Sequence, residues 1–140
     1  MTLKATDGNI QTHISLYQNL IGRMSTLSGG VKMLGATVVG LVAVLGSGNL
    51  AQAMALSGFI FTIGILDAYY LAKERTFRGV YKRFVQDLHD SKDVANQLFI
   101  VKKPTIKTLG LAKAFSSPSV WVFYLALIGL TIAVELLRAC

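Results

Sequence analysis

The sequence predicts an all-α membrane protein, and three observations support that fold class. Residues 33–66 form an unbroken stretch without a single Asp, Glu, Lys or Arg. Hydrophobic residues make up 53% of the 140-residue chain and charged residues only 15%, whereas soluble domains carry about 25% charged residues. The net charge is nevertheless +7, so the few charges are mostly basic. Because one spanning helix needs roughly 20 apolar residues, the long uncharged stretch predicts a transmembrane hairpin of two helices.

The N-terminal residues 1–30 are predicted to form an amphipathic helix. Ile10, Ile14, Tyr17, Ile21 and Met24 follow one another at spacings of four and three residues, which is the stripe of a helix with one apolar face. We expect this helix to lie on the membrane surface or to pack on neighbouring helices of an oligomer.

The two legs of the predicted hairpin are residues 31–46 and residues 50–70, joined by the turn sequence Gly-Ser-Gly-Asn at 46–49. No helix breaker follows the second leg, so we predict that its helix leaves the membrane and continues into the cytoplasm to about residue 89. Residues 90–116 are interpreted as a basic connector that contains a short helix over residues 105–115.

A third span is predicted over residues 118–136. Ser117 followed by Pro118 is a typical helix start, because serine caps the first turn and proline fits its first position. Trp121 and Tyr124 near this start are typical of the interfacial aromatic belt.

The distribution of charge predicts the orientation. Between residues 73 and 113 there are ten Lys or Arg against four Asp or Glu, and the turn at 46–49 carries no charge. By the positive-inside rule, the N-terminus and the 73–118 segment are expected in the cytoplasm of a bacterium, with the C-terminus in the periplasm and the spans in the inner membrane.

The sequence carries no phosphate-binding loop, nucleophile elbow or paired-cysteine motif. We therefore predict that the protein is not an enzyme and has no cofactor. His89 among the aspartates of residues 87–93 could ligate a metal, but a solvated helix end is the preferred interpretation and no metal site is predicted. The single cysteine, Cys140, cannot form an internal disulfide and its role stays open.

Asp67 is the acid with the clearest functional interest, because an ionisable group at the membrane boundary is costly unless it is paired or faces water. One interpretation makes it a gate or pore-mouth carboxylate, with Tyr70 and Glu74 of the same helix as further gate candidates. The other makes it an interfacial acid that pairs across an oligomer with Lys73 or Arg75. Both interpretations stay open at this stage.

The basic residues after the second span predict a polyanion site. Arg75, Arg78 and Lys82 fall three and four residues apart, hence on one helix face. The cations would bind the phosphates, and the nucleobases would stack on nearby aromatic rings. The predicted phosphate-binding residues are Lys73, Arg75, Arg78, Lys82, Arg83, Lys102 and Lys103, and the predicted stacking residues are Phe77, Tyr81 and Phe84. Attraction to anionic lipid, worth about 1 kcal/mol per cation, is the alternative interpretation.

Three segments together resemble a family of small bacterial membrane proteins. They are HISLYQNLIGRMSTLSGGVKMLGATVVGLVAVLG, LDAYYLAKERTFRGVYKRF and SSPSVWVFYLALIGL, and they cover most of the chain. The middle segment, with its D-x-Y-Y-L-x-x-E-R-x-F-R-x-x-Y pattern, is the most specific. Tyr17-Gln18-Asn19 departs from the Q-G pair that is usual in the first segment. Proteins of this family are similar to the transmembrane effectors of anti-phage defence operons, such as Hailong-type effectors and those of SLATT-like architecture.

The resemblance implies a channel or membrane-permeabilising effector. Because three spans per subunit are too few for a pore in one chain, we expect a homo-oligomer, with a tetramer as the first expectation. The resemblance also implies a nucleotide or single-stranded oligonucleotide as ligand and an operon-encoded nucleotidyltransferase as partner. The alternative function is a non-conducting membrane anchor or assembly subunit that binds anionic lipid through its basic cytoplasmic face.

Overall fold

The computed structural model describes residues 7–46, 49–101 and 108–139, and these residues are helical with short connections and no strand. The helices are α1 (Asp7–Leu45), α2 (Leu50–His89), α3 (Thr108–Phe115) and α4 (Pro118–Ala139), and a 3₁₀ turn lies at Ala95–Gln97. Three of them, α1, α2 and α4, are long and apolar enough to cross a membrane. The prediction of an all-α protein with three candidate membrane spans is confirmed.

Helix α2 has the bounds that the sequence predicted, because it runs without interruption over Leu50–His89. With 39 and 40 residues, α1 and α2 are about 58 and 60 Å long, roughly twice the 30 Å thickness of the hydrocarbon layer. Helix α4 has 22 residues and a length of about 33 Å, which matches one crossing. The pair α1–α2 therefore extends beyond the apolar layer, and we call residues 7–27 and 68–101 the polar arm.

Helix α1 differs from the prediction of a separate amphipathic helix followed by a first span. It continues through Ser28, Gly29 and Gly30 without a break. A glycine inside a helix costs about 1 kcal/mol of stability relative to alanine. This cost is offset because the segments of α1 before and after the glycines are packed against the rest of the chain. Tyr17 on one side and Val39 on the other are each only 2% exposed, since both lie in the structure's core. The N-terminal part of α1 thus packs on α2 of the same chain.

The hairpin turn is defined at both of its ends, whereas residues 47–48 lie outside the described residues. The backbone N–H of Gly46 donates to the Val42 carbonyl (2.8 Å). Asn49 is the N-cap of α2, and its side-chain oxygen accepts a hydrogen bond from the backbone N–H of Gln52 (2.9 Å). A Cβ atom on Gly46 would lie 2.5 Å from the Val42 carbonyl oxygen, so only glycine fits at this position.

Helix α4 packs along the α1–α2 pair and completes the core. The Tyr124 ring lies against Gly64 of α2, where an added Cβ would meet it at 3.4 Å, and Leu127 lies 3.6 Å from the corresponding position of Gly35 in α1. The core between the three helices consists of Val39, Leu56, Ile60, Ile63, Ala68, Val120, Tyr124 and Leu127. The helices approach closely here because glycine leaves room for the neighbouring side chain.

The outer surface of the three spans is apolar. Large side chains there are half or more exposed, among them Met33, Leu41, Met54, Phe61, Leu125, Leu130 and Leu136. A soluble protein rarely exposes such a continuous apolar surface, whereas lipid covers it at no cost. The exposed apolar surface and the helix lengths therefore both support a membrane-embedded protein.

The start of α4 agrees with the prediction, because the helix begins at Pro118 and the Ser117 carbonyl accepts hydrogen bonds from the amides of Val120 and Trp121. The predicted short helix of the connector is present as α3, which begins at Thr108. Residues 102–107, and with them the predicted ligands Lys102 and Lys103, lie outside the described residues.

Candidate functional site

A charged cluster lies between α1, α2 and α4. Asp67 is fully buried, and the Lys32 ammonium lies 2.7 Å from its Oδ2 atom. The Ser28 hydroxyl donates a short hydrogen bond to Asp67 Oδ1, and Lys32 Nζ lies 3.3 Å from Ser28 Oγ. The buried hydroxyl of Tyr124 faces the same carboxylate without reaching regular hydrogen-bond geometry. Charge and hydrogen bonding together make the buried carboxylate tolerable.

This cluster corrects the partner that the sequence suggested for Asp67. One of the two interpretations paired Asp67 with Lys73 or Arg75 of a neighbouring subunit, but Lys32 of the same chain takes this place. The reason is the continuity of α1, which carries Lys32 alongside the second helix at the level of Asp67. The ion pair therefore joins the two legs of the hairpin.

The other two gate candidates are also engaged within the chain. Glu74 is 8% exposed and pairs with Arg78 one helical turn later, with Nη2 and Oε1 2.7 Å apart. The half-buried Tyr70 packs edge-on against Tyr69, with ring centroids 5.9 Å apart. Lys73 lies over the ring of Tyr69 at 4.6 Å from its centroid, which is a cation–π contact.

A groove on the polar arm brings together three of the predicted phosphate ligands. It lies between α1 and α2 and has a volume of about 660 Å³. Its lining consists of Gln18, Ile21, Gly22, Arg75, Arg78, Gly79, Tyr81 and Lys82. We call this the basic groove. Its three cations lie within eight residues of one helix, or about 10 Å along the axis, so they can meet more than one phosphate.

The cations of the basic groove differ in what they already bind. Arg78 pairs with Glu74, and Arg75 donates to the Lys113 carbonyl (3.2 Å) and to Ser117 Oγ (2.9 Å). Lys82 is exposed and has no ion-pair partner within the described part of the chain. The groove therefore holds one free ammonium and two guanidinium groups that are shared with protein acceptors.

Two of the three predicted stacking residues are core residues in this structure. Phe77 is 5% exposed and Phe84 is 2% exposed, and the Phe84 ring packs against residues of α1 and the connector. No nucleobase can reach rings buried to this degree. Tyr81, which lines the groove, is the stacking candidate that stays accessible. Arg83 lies apart from the groove and borders a second cavity.

That second cavity is lined in part by His13, which the sequence analysis did not single out. It has a volume of about 340 Å³ and lies within the polar arm, where residues 96–100 of the connector meet α1 and α2. His13 is 1% exposed, its Nδ1 atom accepts a hydrogen bond from the Phe99 amide (3.0 Å), and its ring packs edge-on against Phe84 and Tyr17. Phe99 has φ +62°, a left-handed conformation that this hydrogen bond helps to hold. His13 lies three residues after Ile10 and four before Tyr17, so the apolar stripe could have revealed it.

Protonation of His13 is expected to weaken the fold below about pH 6.5. Burial lowers the pKa of His13 from its ordinary value of 6.5. At a pH between the two pKa values, the unfolded chain therefore binds a proton at His13 that the folded chain does not bind. The contribution of His13 to the free energy of unfolding is therefore fully present above pH 6.5, and it decreases as the pH falls towards and through the lower pKa of the folded state. Thermal unfolding in detergent between pH 7.5 and 5.0 measures this decrease.

The matched variants are His13→Asn, which keeps a hydrogen-bond acceptor but does not titrate, and His89→Gln at an exposed position. The pH dependence should be reduced in His13→Asn and kept in His89→Gln. Equal pH profiles for His13→Asn and the wild type would contradict the assignment.

The tip of the polar arm holds the acidic residues that sequence analysis considered as metal ligands. Lys92 Nζ lies 2.9 Å from Asp87 Oδ1 and 3.1 Å from Asp90 Oδ2. Hydrogen bonding to Lys92 lowers the pKa of Asp87. These groups form an exposed ion-pair network at the end of α2.

Comparison with protein-family models, with curated proteins and with solved structures found no match for this chain.

Proposed function

We propose that the protein is an oligomeric channel or membrane-permeabilising effector of anti-phage defence in the bacterial inner membrane. A nucleotide-derived ligand, such as a single-stranded oligonucleotide, gates it from the cytoplasmic side. The observation that carries the proposal is the basic groove, whose cations stand on the same continuous helix as the second span. Ligand bound at Arg75, Arg78 and Lys82 thus acts on a rigid rod that reaches Asp67 and the apolar layer.

The oligomeric part of the proposal follows from the packing of the spans. Their shared interior is filled by apolar side chains and by the paired Lys32–Asp67 cluster, which leaves no room for an aqueous path through the described part of a single chain. A pore requires several copies around an axis, and a tetramer is the first arrangement to test. The excess of Lys and Arg on the polar arm favours the cytoplasm for that arm.

The defence role comes from the family resemblance, and an operon-encoded nucleotidyltransferase is the source of ligand that it implies. The basic groove supports a ligand of this kind, because guanidinium and ammonium groups bind phosphates and the Tyr81 ring accepts a base. Whether the ligand opens or closes the pore is decided by the same experiment that tests gating.

Dye release from liposomes that contain the purified protein tests this proposal. We expect leakage that a single-stranded deoxyadenylate oligonucleotide changes by tenfold or more. In Arg78→Gln/Lys82→Gln, the response to oligonucleotide should be lost, and the slope of log Kd against log salt concentration should decrease by about 1.4, since two phosphate contacts are removed. Arg75 is left intact because it also holds the start of α4.

The control variant Lys92→Gln/Lys113→Gln removes the same charge outside the groove and should respond like the wild type. Absence of leakage with and without oligonucleotide would refute the channel. An equal loss of response in the control variant would refute the groove as the site.

The second candidate function is a membrane anchor that binds anionic lipid. The cation–π pair of Lys73 and Tyr69 at the exit of the second span favours this function, because both residues suit the headgroup region. The anchor alternative predicts tighter association with phosphatidylglycerol vesicles than with neutral ones, no leakage, and no dependence on Arg78 or Lys82 beyond the loss of net charge.

A further inference from the structure

Helix α3 packs directly on the spans. Ala114 on its inner side is fully buried, and Leu111 packs against the apolar core between α1, α2 and α4. The last residue of the helix, Phe115, packs edge-on against Phe61 of α2, with ring centroids 6.2 Å apart. The helix has eight residues and carries a single charge, that of Lys113. It is therefore a fixed and largely apolar part of the helical packing.

Two contacts define the level of α3 along the second span. Phe61 belongs to the exposed apolar surface of α2 and lies six residues before Asp67. The Lys113 carbonyl accepts a hydrogen bond (3.2 Å) from Nη1 of Arg75, which lies eight residues after Asp67. The uncharged stretch of the sequence ends at Leu66, between these two levels. The C-terminal end of α3 thus lies where α2 leaves the apolar layer.

The dimensions of the bilayer place the rest of α3 at the lipid headgroups. A bilayer measures about 40–45 Å with its headgroups and about 30 Å without them, so each headgroup layer is about 5–8 Å thick. Leu109 lies six residues before Phe115 and is therefore at most about 9 Å from it along the helix axis. Both ends of the exposed face of α3 are thus within reach of the headgroup layer.

The outer face of α3 has the composition of an interfacial helix. Leu109 is 79% exposed, and the exposed Lys113 lies one turn later on the same face. Within the described ranges, Lys113 has no acidic partner. At this level the leucine can enter the acyl boundary while the ammonium reaches the lipid phosphates. The contact of Phe115 with Phe61 also makes α3 continuous with the apolar outer surface of the spans.

We infer that α3 is an interfacial helix whose outer face, with Leu109 and Lys113, binds lipid of the leaflet on the side of the polar arm. A single exposed leucine is ordinary on a soluble protein. Here it stands at headgroup level, beside a surface that lipid covers. Lipid thereby holds the segment that leads into α4. The inference depends on the membrane-embedded spans and not on the proposed channel or its ligand.

The test places a single tryptophan on the outer face of α3. Trp121 is the only tryptophan of the chain, so Trp121→Phe/Leu109→Trp carries its one indole at position 109. The full-length variant is reconstituted in phosphatidylcholine vesicles. A minority lipid with a nitroxide on its headgroup quenches an indole in the headgroup layer, whereas iodide on both sides of the vesicle quenches an indole in water. We expect quenching by the nitroxide lipid, emission at shorter wavelength than in water, and protection from iodide.

The matched control is Trp121→Phe/Val85→Trp. Val85 is an exposed apolar residue of α2 that lies eighteen residues after Asp67, hence about 27 Å beyond it along the helix axis. Its indole should be quenched by iodide and not by the nitroxide lipid. Both replaced side chains are exposed, so both variants should fold, and circular dichroism should show the helix content of the wild type.

The outcomes separate this inference from the proposed function. Equal iodide quenching at positions 109 and 85 would place α3 in water and overturn the inference, whatever the liposomes release. Protection of position 109 from both iodide and the nitroxide lipid would mean that a second copy of the chain covers α3, which would overturn the inference as well. Quenching by the nitroxide lipid without any leakage would support the interfacial helix, while the channel would be refuted.

Discussion

Lys32→Met is expected to destabilise the protein by about 3–5 kcal/mol, the usual cost of removing one partner from a buried ion pair. Among the described residues, the fully buried Asp67 carboxylate would lose the one cation paired with it and keep the hydrogen bond from Ser28. Methionine has nearly the length of the lysine stem, so the effect arises from the lost charge rather than from lost volume. Unfolding of the purified protein in mixed detergent micelles, followed through Trp121 fluorescence, measures this change.

A double-mutant cycle isolates the interaction. Lys32→Met/Asp67→Asn removes both charges and should regain most of the lost stability, because no uncompensated charge stays in the apolar layer. The control Lys73→Met removes a lysine that makes a cation–π contact with Tyr69 and should cost about 1 kcal/mol or less. If Lys32→Met and Lys73→Met lost equal stability, the buried pair would have no special role.

Gly64→Leu is expected to separate α2 from α4 and to destabilise the protein by about 1–3 kcal/mol through overpacking. A Cβ atom at this position would already lie 3.4 Å from the Tyr124 ring, and the remaining leucine atoms would occupy the volume of the ring itself. Because Tyr124 faces Asp67, its displacement should also disturb the charged cluster. The same unfolding measurement detects this loss.

Gly58→Leu is the matched control, because Gly58 lies in the same helix but has open space around the position of a Cβ atom. This variant should be neutral or slightly stabilising, since leucine replaces the poorest helix former other than proline. Equal destabilisation by the two variants would indicate that the cost comes from helix propensity or membrane insertion and not from contact with Tyr124.

Helix α2 illustrates what was predictable from the sequence. Its apolar half is followed directly by a helix-period pattern that contains no proline, so its two ends could be located from residue types alone. The start of α4 was predictable for a similar reason, because serine and proline mark it locally. The continuity of helix α1 was not predictable, because two adjacent glycines suggest a break. The burial of Tyr17 and Val39, which stabilises the helix on either side of the glycines, is seen only in the structure.

The candidate site was predictable only in part. The spacing of Arg75, Arg78 and Lys82 predicted that they share one helix face, and in the structure all three line one groove. The same spacing could not show that Phe77 and Phe84 are buried, because burial depends on distant segments; Phe84, for example, is covered by the N-terminal part of α1 and by the connector. Nor could it show that Arg75 holds Ser117, a residue 42 positions away.

The sequence by itself determined the all-α class, three candidate membrane spans and the basic polar arm, because hydrophobic length and helical periodicity are properties of neighbouring residues. Only the tertiary structure decided which cation neutralises Asp67 and that His13 anchors the connector. These features depend on how distant segments are aligned side by side. That alignment is set by the close packing of α1, α2 and α4, which no local pattern encodes.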